Sequence, residues 1–197
     1  MNRELTALGV PEAVQAFFDV PELLFNYGGH FEHFGAGFHR VPTTPNLWLA
    51  GKDLAREVII TSTAMEAIAY LSANLHRYPD LDSLSFTALG NLPHYGQLQW
   101  IKSHYPKRKF TLVFGKDLLG RLADIRVAAG LKNRVVRLLR SDIQIQIMCN
   151  NEVYGFEQEK LSLSAFEKAS GLRTGFRTAK PKDFDTYLEQ LKYHANQ

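Results

Sequence analysis

From residue 57 onward, apolar positions along this chain alternate between two rhythms. EVIITST (57–63) is a β-branched run suited to a buried strand, and AMEAIAYLSANLHRY (64–78) repeats apolar residues at helical spacing. The order recurs: SLSFTALG (83–90) reads as a strand and YGQLQWIKSHY (95–105) as a helix. KFTLVFG (109–115) and LLGRLADIRVAAGL (118–131) repeat it, and NRVVRLLR (133–140) follows as a fourth strand. Short apolar strands alternating with helices predict an α/β fold, a mostly parallel sheet flanked by helices. Functional residues then belong at the carboxyl ends of the strands, here Thr61–Thr63, Leu89–Asn91 and Gly115–Asp117.

The flanks are less regular. PEAVQAFFDVPELLF (11–25) opens with a proline suited to a first helical turn and is broken by Pro21, which predicts two short helices. Residues 26–46, rich in glycine and aromatic side chains, predict an irregular segment or short bent strands. Residues 1–55 therefore read as an N-terminal extension packed on a core domain of residues 56–197. Beyond the alternating region, SDIQIQIMCNNEVYGF (141–156) reads as a hairpin turning at Asn150-Asn151. LSLSAFEKASG (161–171) reads as a helix capped by Ser164 and stopped at Gly171, and LRTGFRTAKPK (172–182) as a basic loop. Phe184, Tyr187, Leu188 and Leu191 carry the spacing of an amphipathic C-terminal helix.

Composition narrows the setting. Cys149 is the one cysteine among 197 residues, so an internal disulfide and a cysteine-based zinc site are excluded and a cytoplasmic location is expected. No signal-peptide core or membrane-length apolar stretch is present in the sequence. The net charge of +3 hides two opposite halves. Residues 1–100 hold five Lys/Arg and ten Asp/Glu, a net of −5, while residues 101–197 hold eighteen and ten, a net of +8. Between Lys102 and Arg140 eleven basic residues meet only Asp117 and Asp124, so a surface built from this stretch attracts polyanions. His30, His33 and His39 match no common zinc spacing and read as satisfied or solvent-facing histidines.

The strand-helix succession resembles a Toprim domain, the metal-binding fold of bacterial primases, topoisomerases and several nucleases. VIITSTAMEAIAYL is similar to the segment bearing the family's catalytic Glu, which places Ser62 at the Glu position and Glu66-Ala67 at the following Asp-Ala. FTALGNLPHYGQLQWI is similar to the strand that ends in a glycine turn. FTLVFGKDLLGRLADIRVAAGL is similar to the Asp-x-Asp segment, with Gly115 replacing the first Asp and Asp117 and Gly120 keeping the remaining positions. Lys182, Asp183, Phe184, Asp185 and Leu188 resemble the ending of Toprim-like primase domains of plasmids and conjugative transposons.

The departures shape the expected function. Toprim chemistry holds Mg²⁺ with a carboxylate cluster, because a hard cation needs oxygen ligands that neutralise it. Ser62 and Gly115 remove two of the three principal carboxylates, and the zinc module that usually precedes such primases has no counterpart in the initial segment. The leading expectation is a non-catalytic, nucleic-acid-associated Toprim-like protein serving replication or transfer of a mobile element, with no cofactor and no metal. Lys102, Lys107, Arg108, Lys109, Lys116, Arg121, Arg134, Arg137 and Arg140 would contact phosphates. Tyr95, Trp100 and Tyr105 are candidate base-stacking rings, with helical spacing placing Trp100 in the core instead. One alternative is an Mg²⁺-dependent primase- or nuclease-type phosphotransferase with a rearranged site of Asp117, Glu66 and Asp183. Against it, Asp117 reads as the cap of the helix that follows. The other alternative is a protein-interaction module that docks a replication or mobilisation partner.

Overall fold

The computed structural model of the chain describes residues 1–139 and 144–197 and opens with two short helices, α1 (Arg3–Ala7) and α2 (Glu12–Phe18). Asn2 caps α1 by accepting the amides of Glu4 and Leu5, and Asp19 ends α2 in a left-handed conformation. The second helix expected within residues 11–25 is instead a strand. After Pro21, Leu24 and Asn26 face outward while Phe25 and Tyr27 are buried, the two-residue period of β1 (Leu24–Tyr27). The glycine-rich stretch forms β2 (His30–Gly35) and β3 (Phe38–Arg40), which complete an antiparallel three-stranded meander with β1.

The central layer follows. It comprises β4 (Trp48–Gly51), β5 (Glu57–Thr61), α3 (Ala64–Asn74), β6 (Leu84–Ala88), α4 (Tyr95–His104), β7 (Lys109–Val113) and α5 (Leu118–Leu131). A small antiparallel sheet is made by β8 (Val136–Leu139), β9 (Ile145–Cys149) and β10 (Glu152–Phe156). The chain closes with α6 (Leu163–Ser170), β11 (Arg177–Thr178) and α7 (Tyr187–Ala195). The five-stranded sheet has the order β11-β7-β5-β6-β4, in which β11, β7, β5 and β6 are parallel and β4 is an antiparallel edge. Residues 48–51 of the N-terminal segment thus pair with β6 in the same sheet as the later strands.

Strand β5 lies in the middle, with Thr61 in register with Ala88 on one side and Val113 on the other. Its side chains alternate between two cores. Ile59 joins α3, α7 and the N-terminal meander, whereas Val58 and Ile60 join α4, α5, α6 and β9. Burial on both faces requires a nearly continuous apolar strand, which is why the alternating region is legible in the sequence.

Several expectations are corrected. NRVVRLLR does not extend the parallel sheet: β8 pairs antiparallel with β9. The fourth parallel strand is β11, from the stretch read as a basic loop, and its two residues pair with Thr111 and Leu112. The cap of α6 is Ser162, whose hydroxyl accepts the Ala165 amide, not Ser164, while Gly171 ends the helix at φ 69° as expected. The β9–β10 turn falls on Asn150 and Asn151, both at positive φ, the backbone that a tight hairpin needs. The start of the expected hairpin, residues 141–143, lies outside the described residues.

Candidate functional site

The carboxyl edge of the central sheet is assembled from neighbouring strand ends. Ser62 follows β5 and Gly115 follows the adjacent β7. Asp117 caps α5, accepting the Gly120 amide at 2.8 Å. A Cβ on Gly120 would sit 2.1 Å from the Gly115 carbonyl oxygen, so only glycine lets α5 start this close to the strand end. The β6 end turns at Gly90, where φ is +77° and a Cβ would meet the Pro42 carbonyl oxygen at 2.5 Å. Across this edge lies the C-terminal segment, whose Asp185 carbonyl accepts the Lys116 amide at 2.9 Å.

The acidic side chains around this edge are engaged as structural acceptors. Glu66, 3% exposed, accepts the Tyr187 amide at 2.8 Å and the Leu188 amide at 3.0 Å, so it caps α7 from another helix. Burial pushes its carboxyl up to about 7, with the two amide bonds opposing that rise. Lys180, which the sequence reading left without a role in a basic loop, donates to the carbonyls of Phe114 at 2.8 Å and Gly115 at 2.9 Å and pairs with Asp124 at 2.7 Å. Three acceptors match the three ammonium protons. Burial raises the Asp124 carboxyl to about 6, and Lys180 partly offsets that effect. Its Oδ1 has no partner among the described residues.

The donor set does not fit the Mg²⁺ ion that the Toprim resemblance implies. Both Glu66 oxygens hold amides, Asp117 holds the Gly120 amide, and a fixed ammonium lies on the Gly115 carbonyl. Asp183 is exposed on the C-terminal segment. Among the described residues no three His, Cys, Asp or Glu side chains are grouped to hold a metal ion.

This environment predicts a pH effect. The folded-state values of about 7 for Glu66 and about 6 for Asp124 lie above the ordinary values of 4.5 and 3.8, so the folded chain binds more protons between them. The stability contributed is present at acid pH and is lost as pH rises through about 7. The urea midpoint of the wild-type protein should fall between about pH 5 and pH 7.5, and Glu66→Gln should flatten that fall. A midpoint rising over this interval would contradict the assignment.

A second buried carboxylate ties the N-terminal meander to the same edge. Glu32, fully buried on β2, accepts the amides of Ala64 at 2.7 Å and Met65 at 3.0 Å at the start of α3. It also accepts the Tyr27 hydroxyl at 2.6 Å and bonds His39 Nε2 at 2.9 Å. Burial first, then the Glu32 charge, raises the Tyr27 pKa and keeps the phenol protonated as a donor. His30 faces Thr44 at 3.3 Å and His33 packs edge-on against Phe38, so the three histidines have separate surroundings.

The basic run does not form one surface. Lys107 and Lys109 are exposed at the amino end of β7, with Arg108 half-buried between them. Lys116 and Arg121 lie at the opposite end and act as clamps. The Lys116 ammonium donates to the Lys182 carbonyl, and Arg121 donates to the carbonyls of Lys116 (2.6 Å), Gln158 (3.0 Å) and Glu159 (3.2 Å). Lys102 is half-buried on α4. Arg134 and Arg137 are exposed beside the small sheet, Arg134 touching Asn150 at 3.2 Å. Arg140 lies outside the described residues.

Tyr105 is buried against Ser85 and cannot stack on a base. Trp100, placed in the core by its spacing, is 38% exposed and stacks on His104 with ring centres 4.3 Å apart. Tyr95 is exposed on α4.

Arg126, missing from the expected contacts, is exposed on α5 and joins Arg137 on a groove of about 690 Å³. Asn91 and Leu92 from the β6 end, Leu119 and Leu138 complete its walls. Helical periodicity around Arg126 offers a signal for it, because Ile125 and Val127 to Ala129 take the buried positions. Glu32 likewise shares strand parity with buried Phe34. Lys180 has no comparable signal. Comparisons with family models, curated proteins and solved structures return no match. Among the described residues no helix is long and apolar enough to cross a membrane.

Proposed function

We propose that this chain is a Toprim-like domain that binds nucleic acid through phosphate contacts and performs no metal-dependent chemistry of its own. The observation that carries this reading is the fate of the acidic groups: Glu66 and Asp117 cap helices, while Lys180 supplies a positive charge at the strand edge. The Toprim resemblance is supported by the adjacency of the β5 and β7 ends and by the close approach at Gly120. A role in replication or transfer of a mobile element rests on the likeness of Lys182 to Leu188 to the ending of Toprim-like primase domains of plasmids and conjugative transposons, a segment that packs onto that edge through Asp185 and Glu66.

The binding face is the groove between α5 and β8. Arg126 and Arg137 line it, Arg134 is exposed two residues before β8, and among the described residues no carboxylate lies within ion-pair distance of the three. Such a face holds phosphates without reading base sequence.

Fluorescence anisotropy with single-stranded DNA over a salt series tests the proposal. Affinity should fall as salt rises, and replacing the three arginines with Gln should lower the log-log slope by about 2, at about 0.7 per lost phosphate contact. An unchanged slope would remove this face from the site. Mg²⁺-dependent cleavage by the unmodified chain, abolished in Asp117→Ala, would overturn the non-catalytic reading. Absence of DNA binding at low salt would favour the groove's apolar walls as a protein-docking surface.

A further inference from the structure

A second cleft lies on the other side of the central sheet, where the end of α3 faces α7 and the segment before it. Its volume is about 660 Å³, within the roughly 300–1,000 Å³ typical of small-molecule sites. The chemistry of its walls is one-sided. His76 and Arg77 enter from the 3₁₀ turn Leu75–Arg77 that follows α3, Lys180 and Lys182 from the C-terminal segment and His194 from α7, against a single carboxylate, Asp183. Arg77 and Lys182 are exposed, and neither has a carboxylate within 4.0 Å among the described residues. Two cations that line one cleft, neither ion-paired among the described residues and outnumbering its one carboxylate, make a place for an anion.

Aromatic side chains line the same cleft. Phe184 and Tyr193 have ring centres 5.1 Å apart at an interplanar angle of 49°, and His194 approaches Phe184 at 6.0 Å. Tyr193 is 52% exposed, a large ring left partly in water beside the cations. Below them the cleft floor is fixed: Tyr187 is buried, and its amide is held by Glu66. A cationic rim, an exposed aromatic ring and a buried floor suit a ligand that joins a phosphate to a planar ring.

We infer that this cleft binds a phosphomonoester carrying a nucleobase, with Arg77 and Lys182 on the phosphate and Tyr193 against the base. The ligand is either a free nucleotide or the 5′ end of a strand. The site lies across the sheet from the α5–β8 groove and does not depend on it: the α3 and α7 core faces one side of the sheet and the α4 and α5 core faces the other.

Isothermal titration of the full chain with AMP, ATP, adenosine and inorganic phosphate tests the inference. AMP and ATP should bind, with adenosine and phosphate each at least tenfold weaker. Arg77→Gln with Lys182→Gln should lower AMP affinity at least tenfold. Tyr193→Ala should weaken AMP while leaving the weak phosphate binding unchanged. These side chains are exposed, so the variants should fold, and circular dichroism checks that they do. Gln at Arg126, Arg134 and Arg137 should leave AMP binding intact, which separates this site from the DNA-binding face. Competition by a 5′-phosphorylated oligonucleotide, but not by its 5′-hydroxyl form, would support the site with a strand end as its source. Competition by neither would support it with the free nucleotide. Equal binding of AMP and phosphate, AMP binding unchanged in the Arg77 and Lys182 variant, or no AMP binding at millimolar concentration would each overturn it.

Discussion

Replacing Glu32 by alanine is expected to destabilise the protein by about 3–5 kcal/mol, because the change strips partners from buried polar groups. Four donors lose this acceptor at once, the Ala64 and Met65 amides, the Tyr27 hydroxyl and His39, and the Ala64 amide is left to the Tyr27 hydroxyl oxygen at 3.2 Å. The α3 amides would face a cavity on a surface that excludes water, since Ala64, Met65 and Tyr27 are all buried. At roughly 2–4 °C per kcal/mol for a chain of this size, the thermal midpoint should drop by roughly 10 °C. Glu32→Gln should recover part of the loss, as one amide oxygen still accepts while its NH₂ group opposes the remaining donors. Urea unfolding followed by far-ultraviolet circular dichroism measures this directly. A loss below about 1 kcal/mol would mean that the meander is not anchored to α3 through this carboxylate.

Lys180→Met is expected to have a comparable effect for a different reason. The ammonium is the partner of the buried Asp124 carboxylate and of two strand-end carbonyls, so its removal leaves an uncompensated charge, at a cost of about 3–5 kcal/mol. Adding Asp124→Asn removes the stranded charge. The double variant should therefore be more stable than the sum of the single losses by about 1–3 kcal/mol. Acid should also soften the single variant. Lys180 lowers the Asp124 pKa in the native chain, so without it the carboxyl takes up a proton more readily and the penalty shrinks as pH falls. Additive losses, or a penalty that grows in acid, would show that the pair does not act as a unit.

The Lys180 effect reaches the proposed function through the strand edge. Lys180 holds the β7 end and Glu66 holds the start of α7, so the C-terminal segment is fastened over the strand ends that the Toprim resemblance marks as a metal site. With those acceptors occupied, binding is proposed at exposed cations, Arg126 and Arg137 on the α5–β8 groove and Arg77 and Lys182 on the second cleft.

What the sequence determined by itself is the layered core. Runs such as EVIIT and KFTLV are apolar on both faces, and their alternation with helical patterns leaves a parallel arrangement as the way to bury them. The Asn150-Asn151 turn and the Asp117 cap were legible for the same reason: each depends on a few residues adjacent in the chain. Tertiary structure alone decided the rest. Two-residue β11 has no period to read and forms because the edge of β7 offers it partners. The basic run from Lys102 to Arg140 divides because its residues lie at both ends of β7, on α5 and beside β8. Glu66 meets α7 across 121 residues, Lys180 meets Gly115 across 65, and Glu32 meets Ala64 across 32. A buried charge takes whichever donor the packing brings within hydrogen-bond distance, and that choice is made in space, where sequence separation carries no information.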